Sequence, residues 1–310
     1  MSDTRLPNFV WFVFAVLCIV WGTTYFGVKV AIQYFPPLWF SAFRHFSAGF
    51  IFLCLHFIQF KEIPSKTDFW RSFWSGIFMV CGGNGLLSFA IAHISSGMAS
   101  ILSAAAPLYI TLMSIAIFKG FRITWLIILG LLVSIGGIFM LSKPTDGLAP
   151  TSEFWIGFSL VLLANFFWAI GSIYIRKYPV DQSIYIKTAM QMIPAALINW
   201  VVSFYIESQP DLTQIPVNGW WASAYLIFIG SLMGYTSFVY LSKYMIPARL
   251  SIHVYVNTVV AVLVGWLFGG EPLTVSTWVA LLVIMVGVVV VNNEYAKMNR
   301  ALVEASNKNG

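Results

Sequence analysis

Ten apolar stretches, each about as long as a bilayer is thick, take up almost the whole chain. They run over residues 9–31, 38–60, 70–92, 98–118, 123–142, 154–177, 184–206, 218–241, 248–269 and 274–292. A hydrocarbon core about 30 Å thick is crossed by about 20 helical residues. The stretches are too long for barrel strands and lack an alternation of period two. A helix also satisfies its own backbone in lipid, which an open strand cannot do. The expected fold class is an all-α integral membrane protein with ten transmembrane helices. Charged residues are only 9% of the 310, against about 25% in soluble domains, so too little polar surface remains to cover a globule. The connections are short and carry turn residues, as at Pro36-Pro37, Ser95-Ser96-Gly97, Lys143-Pro144-Thr145-Asp146-Gly147 and Tyr178-Pro179. The first stretch exceeds a signal-peptide core and has no Ala-x-Ala site, so it is expected to be retained as a helix.

Charge orients these segments. With the N-terminus inside, the inner segments hold 14 of the 17 basic residues and the outer loops hold only Lys143. Lys29 and Arg44 lie within spans. This split obeys the positive-inside rule loop by loop. It places both termini in the cytoplasm. The net charge of +6 therefore reflects topology. Dispersed as it is, it forms no patch for nucleic acid, and the lipid bilayer is the expected macroscopic partner.

The chain aligns with itself after a shift of about half its length. Trp21-Gly22-Thr23-Thr24 meets Trp168-Ala169-Ile170-Gly171, and Arg44 meets Gln191 at the same offset. Gly85-Leu86-Leu87-Ser88-Phe89 meets Gly234-Tyr235-Thr236-Ser237-Phe238, and Gly137 meets Gly287. Each copy holds five spans, an odd number, so the second copy must cross the bilayer upside down. Residues 1–146 form the first expected five-helix unit, 147–292 the inverted second, and 293–310 a polar cytoplasmic tail whose end, residues 305–310, is expected to be loose. Inverted repeats are a common architecture of secondary transporters, with the solute held near the midplane.

In order and spacing, four motifs resemble the drug/metabolite transporter superfamily, in particular its ten-helix EamA-type members, over about residues 9 to 292. They are Trp21-Gly22-Thr23-Thr24-Tyr25, Phe43-Arg44, Ala106-Pro107 and Gly270-Glu271-Pro272-Leu273-Thr274. One departure stands in span 9, where Val256-Asn257-Thr258-Val259 replaces a proline often found in the family. The resemblance implies a polytopic inner-membrane exporter or exchanger of small metabolites.

Polar groups inside lipid are expensive and therefore informative. Arg44 either snorkels and pairs with backbone carbonyls or serves as the counter-charge of a carboxylate or phosphate. Lys29, nearer a span end, is expected to snorkel. Gly82-Gly83-Asn84-Gly85 permits close packing or a kink in span 3, with Asn84 turned to a cavity or a neighbouring helix and Ser88 one turn on. Pro107 breaks span 4 and frees a carbonyl near Ser103. His253 and Asn257 share a face at i, i+4 and either meet the solute or bond another helix. Trp21 and Trp168 sit away from span ends, where an aromatic belt would place them, and form either a solute wall or plain core. Tyr25, Tyr109 and Tyr235 are candidates of the same kind, and Gln191 is a hydrogen-bonding one. Trp21, Tyr25, Arg44, Asn84, Ser88, Tyr109, Trp168, Gln191, Tyr235, His253 and Asn257 make up the expected substrate-binding set.

The remaining signals exclude chemistry. All 11 Asp and Glu lie at span ends or in loops, so proton coupling would need His253, His45 or the solute itself. Glu271 is expected to be a start-of-helix charge. Neither a phosphate loop nor His-Glu-x-x-His occurs. Cys18, Cys54 and Cys81 have no zinc or disulfide spacing and are expected to be small buried hydrophobes. No catalytic residue, metal or cofactor is expected. The function expected is secondary transport or export of small organic metabolites, amino acids or related compounds, by a monomer or weak homodimer. A multidrug or quaternary-amine exporter is the alternative within the class. An intramembrane serine-type hydrolase is the alternative outside it, and it requires His253 within about 3 Å of a serine hydroxyl.

Overall fold

The computed structural model describes residues 7–60, 62–118, 122–140, 151–245, 250 and 253–308. The Lys143–Gly147 turn, the junction between the two expected units, Arg5, Lys61, Lys119 and Arg249 lie outside these residues. All regular structure among the described residues is helical. Helix α1 is Asn8–Ala31 and α2 is Pro37–Gln59. Helix α3 starts as Lys66–Gly76, widens into a π-helix over Ile77–Gly85 and finishes as Leu86–Ala90. Helix α4 is split into Ser96–Ser103 and Ala106–Ile117. Then come α5 (Trp125–Met140), α6 (Ser152–Lys177) and α7 (Ile184–Ile206). Helix α8 runs as Val217–Tyr225, a second π-helix Leu226–Met233, and Gly234–Tyr244. Helices α9 (His253–Gly269) and α10 (Val275–Lys308) complete the order.

Among the described residues, seven helices are long and apolar enough to cross a membrane: α1 to α4, α6, α7 and the Val275–Met298 part of α10. Helices α5 and α9 are apolar but shorter. Starts are set by local chemistry. The side chains of Ser65, Ser95, Thr151 and Ser183 each accept the backbone N–H three residues on, one of the donors that a helix start leaves unpaired. The tail expected to be loose is instead helical through Lys308, because α10 is one unbroken rod of 34 residues. Its Ala, Lys, Glu, Arg and Leu residues favour helix, and the residues after Met298 reach roughly 15 Å beyond that apolar part at 1.5 Å per residue.

The helices pack in pairs that repeat between the two halves. Helix α2 lies against α7, and α5 against α10. Helix α1 packs on α8 and α9, while α6 packs on α3 and α4. Two close crossings show why small residues stand there. A Cβ on Gly130 would lie 2.7 Å from the Gly287 carbonyl oxygen, and Ser134 Oγ donates to the Ile284 carbonyl at 3.4 Å. A Cβ on Gly49 would lie 2.9 Å from Ile193. Between lipid-like surfaces, such close backbone approach supplies the attraction that hydrophobicity cannot. Phe35, Phe40 and Phe52 are fully buried, whereas Leu132, Ile135, Phe139, Val201 and Phe204 point outward. Cys18 is buried, but Cys54 is exposed and Cys81 is half-buried.

Candidate functional site

Interruptions of regular helix place the polar groups. Helix α4 breaks at Ala104–Ala105, just before Pro107, and the Leu102 carbonyl accepts from Asn165 Nδ2 of α6 at 2.9 Å. A carbonyl released by a proline break must find protein or water, and Asn165, buried, supplies it. The sequence reading did not single out Asn165. Its signal was an amide in the middle of an apolar span.

The π segments of α3 and α8 stand at matching places in the two halves, ending at Gly85 and just before Gly234. π-Helical turns are rare and concentrate at functional sites. Asn84 Nδ2 reaches the Met79 carbonyl, five residues back, at 3.5 Å. Each segment is covered by a tryptophan of the other half. Trp168 packs on Gly83, with Cε3 3.1 Å from where a Cβ would stand, and Trp21 Nε1 packs directly on Gly234.

Around Trp21 the rings cluster. Phe238 stacks on it at 5.4 Å, Tyr235 meets its edge at 6.0 Å and His253 at 5.2 Å. Tyr235 also lies within electrostatic range of Arg44. Arg44 is half-buried, and its Nε donates to Ser231 Oγ in the α8 π segment at 3.0 Å. Gly230 makes room for it, since a Cβ there would lie 3.2 Å from Nη2. Tyr225 lies close enough to sense the guanidinium charge and shares a hydrogen bond with Thr23. Trp21, Arg44, Tyr235 and His253 are therefore brought together, with Ser231, Tyr225, Thr23 and Phe238, which the sequence reading did not place in the binding set.

The other expected residues lie elsewhere. Gln191 Nε2 donates to Ser75 Oγ at 3.1 Å, tying α7 to α3, and Ser88 Oγ donates to the Asn84 carbonyl at 2.9 Å. Tyr25 lies near the α4 break, where Ser103 Oγ donates to the Ala99 carbonyl at 2.8 Å. Among the described residues Tyr109 makes no hydrogen bond or ring contact with the Arg44 group. Asn257 is buried, with its carbonyl oxygen facing Gly22 of α1. His253 Nδ1 pairs with the Leu250 carbonyl at 2.6 Å, and the described residues place no serine hydroxyl in hydrogen bond with it. His45 is likewise taken up, its Nδ1 lying 2.7 Å from the Ser41 carbonyl. A serine–histidine contact does occur at one bundle end. There His56 Nδ1 lies 2.7 Å from Ser183 Oγ, the oxygen that caps α7.

Lys29 does not snorkel. Its Nζ donates to the Ile91 and Ile94 carbonyls at 2.7 and 3.1 Å, closing the C-terminal end of α3. Glu271 caps a helix start, but that of α4 rather than of its neighbour α10. Oε1 accepts from the Ser96 N–H and hydroxyl, both at 2.7 Å, and Oε2 accepts from the Gly97 N–H at 2.8 Å. The two charges clamp the α3–α4 connection from both sides, each opposite in sign to the helix end it meets. Glu271→Ala is expected to cost on the order of 3 kcal/mol, since hydrogen bonds to charged groups contribute roughly 1.5–3 kcal/mol. Glu271→Gln, which keeps an acceptor, should recover part of that. Thermal unfolding in detergent measures both, and an unshifted midpoint for Glu271→Ala would show that the cap contributes nothing.

Helices built to face lipid, opened at two matched π segments around an inward cation and an aromatic wall, define a polytopic membrane protein organised about an interior polar site. The chain belongs to the EamA-like transporter family, which matches residues 9–143 and 155–293, within the drug/metabolite transporter superfamily. It is 30% identical over 279 residues to the uncharacterized inner membrane transporter YedA of Escherichia coli strain K12, covering 89% of this chain and 88% of that one. It is 26% identical over 288 residues to Protein PecM of Dickeya dadantii strain 3937, covering 91% of each. A solved crystal structure shares the fold at 17% identity with a TM-score of 0.64, over 91% of this chain and 94% of that one.

Proposed function

We propose that this member of the family is a secondary transporter that exports small organic metabolites, amino acids or related compounds. In this reading all ten helices cross the cytoplasmic membrane as two inverted five-helix units, residues 1–146 and 147–292, with both termini cytoplasmic. One chain carries both units, so a monomer suffices. Solute sits between the units, against the Trp21–Tyr235–Arg44 group first, with Tyr25, Asn84, Ser88, Tyr109, Trp168, Gln191, His253 and Asn257 around its path. The protein performs no covalent chemistry.

The observation that carries the reading is the exchange symmetry of the packing. Exchanging the units turns the α1 contacts with α8 and α9 into the α6 contacts with α3 and α4, and maps the α2–α7 and α5–α10 pairs onto themselves. Two copies joined in that way have two equivalent arrangements, and passing between them opens the site first to one side and then to the other. The two ends also differ in a manner that supports alternation. At the Trp21–Trp168 offset, the counterpart of Lys29 is Arg176. Lys29 clamps a helix end, whereas Arg176 bonds Tyr295 of α10 and lies 4.8 Å over the Phe118 ring.

Purified protein in liposomes is expected to show counterflow of at least one labelled amino acid from a panel of amino acids and bases. Folded protein that exchanges no panel member would remove the transport reading.

A further inference from the structure

We infer that the solute carries one carboxylate and that Arg44 is the group that holds it; the inference rests on the transporter reading above. Arg44 is a permanent cation set toward the interior of α2. Its surroundings are neutral: Ser231, Gly230, Tyr225 and Tyr235 from α8, with Thr23 of α1 next to Tyr225. Among the described residues no carboxylate stands within ion-pair distance of it. The ion pairs described are His93–Glu153 and Lys297–Glu294, neither of which involves the α2–α8 contact. A cation in a medium of low dielectric gains most from an opposite charge brought close. The serine holds Nε, so the guanidinium orientation is set while the Nη groups remain for a second partner. A planar fork with two parallel donors matches a carboxylate.

Three further observations narrow the class. Tyr235 meets Trp21 edge-on and lies within electrostatic range of Arg44, so a solute held by its carboxylate lays its remainder toward Trp21, Phe238 and His253. The Arg44 counterpart in the second half is Gln191, already engaged with Ser75. One cation with no matching partner suits one carboxylate and not a dicarboxylate or a phosphate ester. Finally, no acidic side chain meets this cluster among the described residues, so an ammonium or quaternary amine finds no counter-charge there. A cation as sole charge is excluded, and a zwitterion is held by its acid end.

The test uses the full-length protein and four probes of one shape: phenylalanine, phenylalaninamide, 3-phenylpropionate and phenethylamine, with tetraphenylphosphonium as a quaternary cation. Ligand-induced thermal shift reads binding, and proteoliposome counterflow reads transport. The two carboxylates are expected to bind at least tenfold more tightly than the amide, the amine and the phosphonium. Arg44→Gln should erase the difference between acid and amide, while Arg44→Lys should keep part of it. Ser231→Ala, which removes only the hydroxyl that orients the guanidinium, should lower the acid preference about threefold, and it keeps the inference testable should Arg44→Gln fail to fold. Equal binding of acid and amide, preferred binding of tetraphenylphosphonium, or an unchanged acid preference in Arg44→Gln would each overturn the inference while leaving transport standing. An acid preference that disappears in Arg44→Gln, in a protein that moves neither these probes nor any member of the amino-acid and base panel, would support the anion site and overturn the transport reading instead.

Discussion

Gly76→Leu should abolish recovery of folded, monodisperse protein. Gly76 ends the first α-helical part of α3, where that helix meets α7 most closely. A Cβ at this position would lie 2.5 Å from Gln191 Cα and 2.7 Å from its carbonyl carbon. Both opposing atoms are backbone, so no side chain can swing aside and the helices themselves must part. Inserting extra methylenes into a packed core costs about 1–3 kcal/mol even where side chains adjust, and a leucine against backbone exceeds that range. Parting the helices would also break the Gln191–Ser75 hydrogen bond next to it. Size-exclusion profiles of detergent extracts measure the outcome. Gly136→Leu is the matched control, because nothing lies within 4 Å of its Cβ position and a leucine there joins an apolar outer face. Equal recovery of the two variants would show that the α3–α7 approach is not made.

Trp21→Ala should raise the half-saturating solute concentration about tenfold while the protein still folds. Trp21 joins Phe238, Tyr235 and His253 and covers Gly234 beside the α8 π segment. Aromatic pairs contribute about 0.5–1.5 kcal/mol beyond area burial, and 1.4 kcal/mol corresponds to a tenfold change in affinity. Truncation deletes the ring on which a held solute lies and leaves Tyr235 without its edge contact. Trp168→Ala removes the matching ring from the α3 side, where Gln191 stands at the position equivalent to Arg44, and should change apparent affinity less. The concentration dependence of counterflow separates the two. An unchanged half-saturation for Trp21→Ala would take Trp21 out of the site.

Much of the site is visible in the sequence only as a set of polar interruptions. Trp21, Arg44, Tyr235 and His253 stand out because each is costly or unusual within an apolar run, and the structure joins them. Ser231 and Asn165 do not stand out, since a single serine or amide in a span usually bonds its own helix or a neighbour. Their partners, Arg44 and the Leu102 carbonyl, lie far away along the chain. Lys29 misleads for a related reason. A lysine near a span end has water within reach of its stem, and only the position of α3 reveals two nearer carbonyls. Glu271 has the charge that a helix start requires, but the start it serves belongs to a helix from the other half of the chain.

What the chain decides by itself is local: where helices form, how they are capped, where Pro107 and the glycines weaken them, and which stretches are apolar enough to meet lipid. These follow from propensity, hydropathy and the need of each backbone group for a partner within a turn or two. The tertiary structure alone decides which interruption faces which. The widening of α3 and α8 into π-helices, the seating of Trp21 on Gly234 and the bond from Arg44 to Ser231 each depend on a second helix arriving at contact distance. Helical periodicity specifies the face that a residue occupies, and it carries no information about the neighbour that will cover that face.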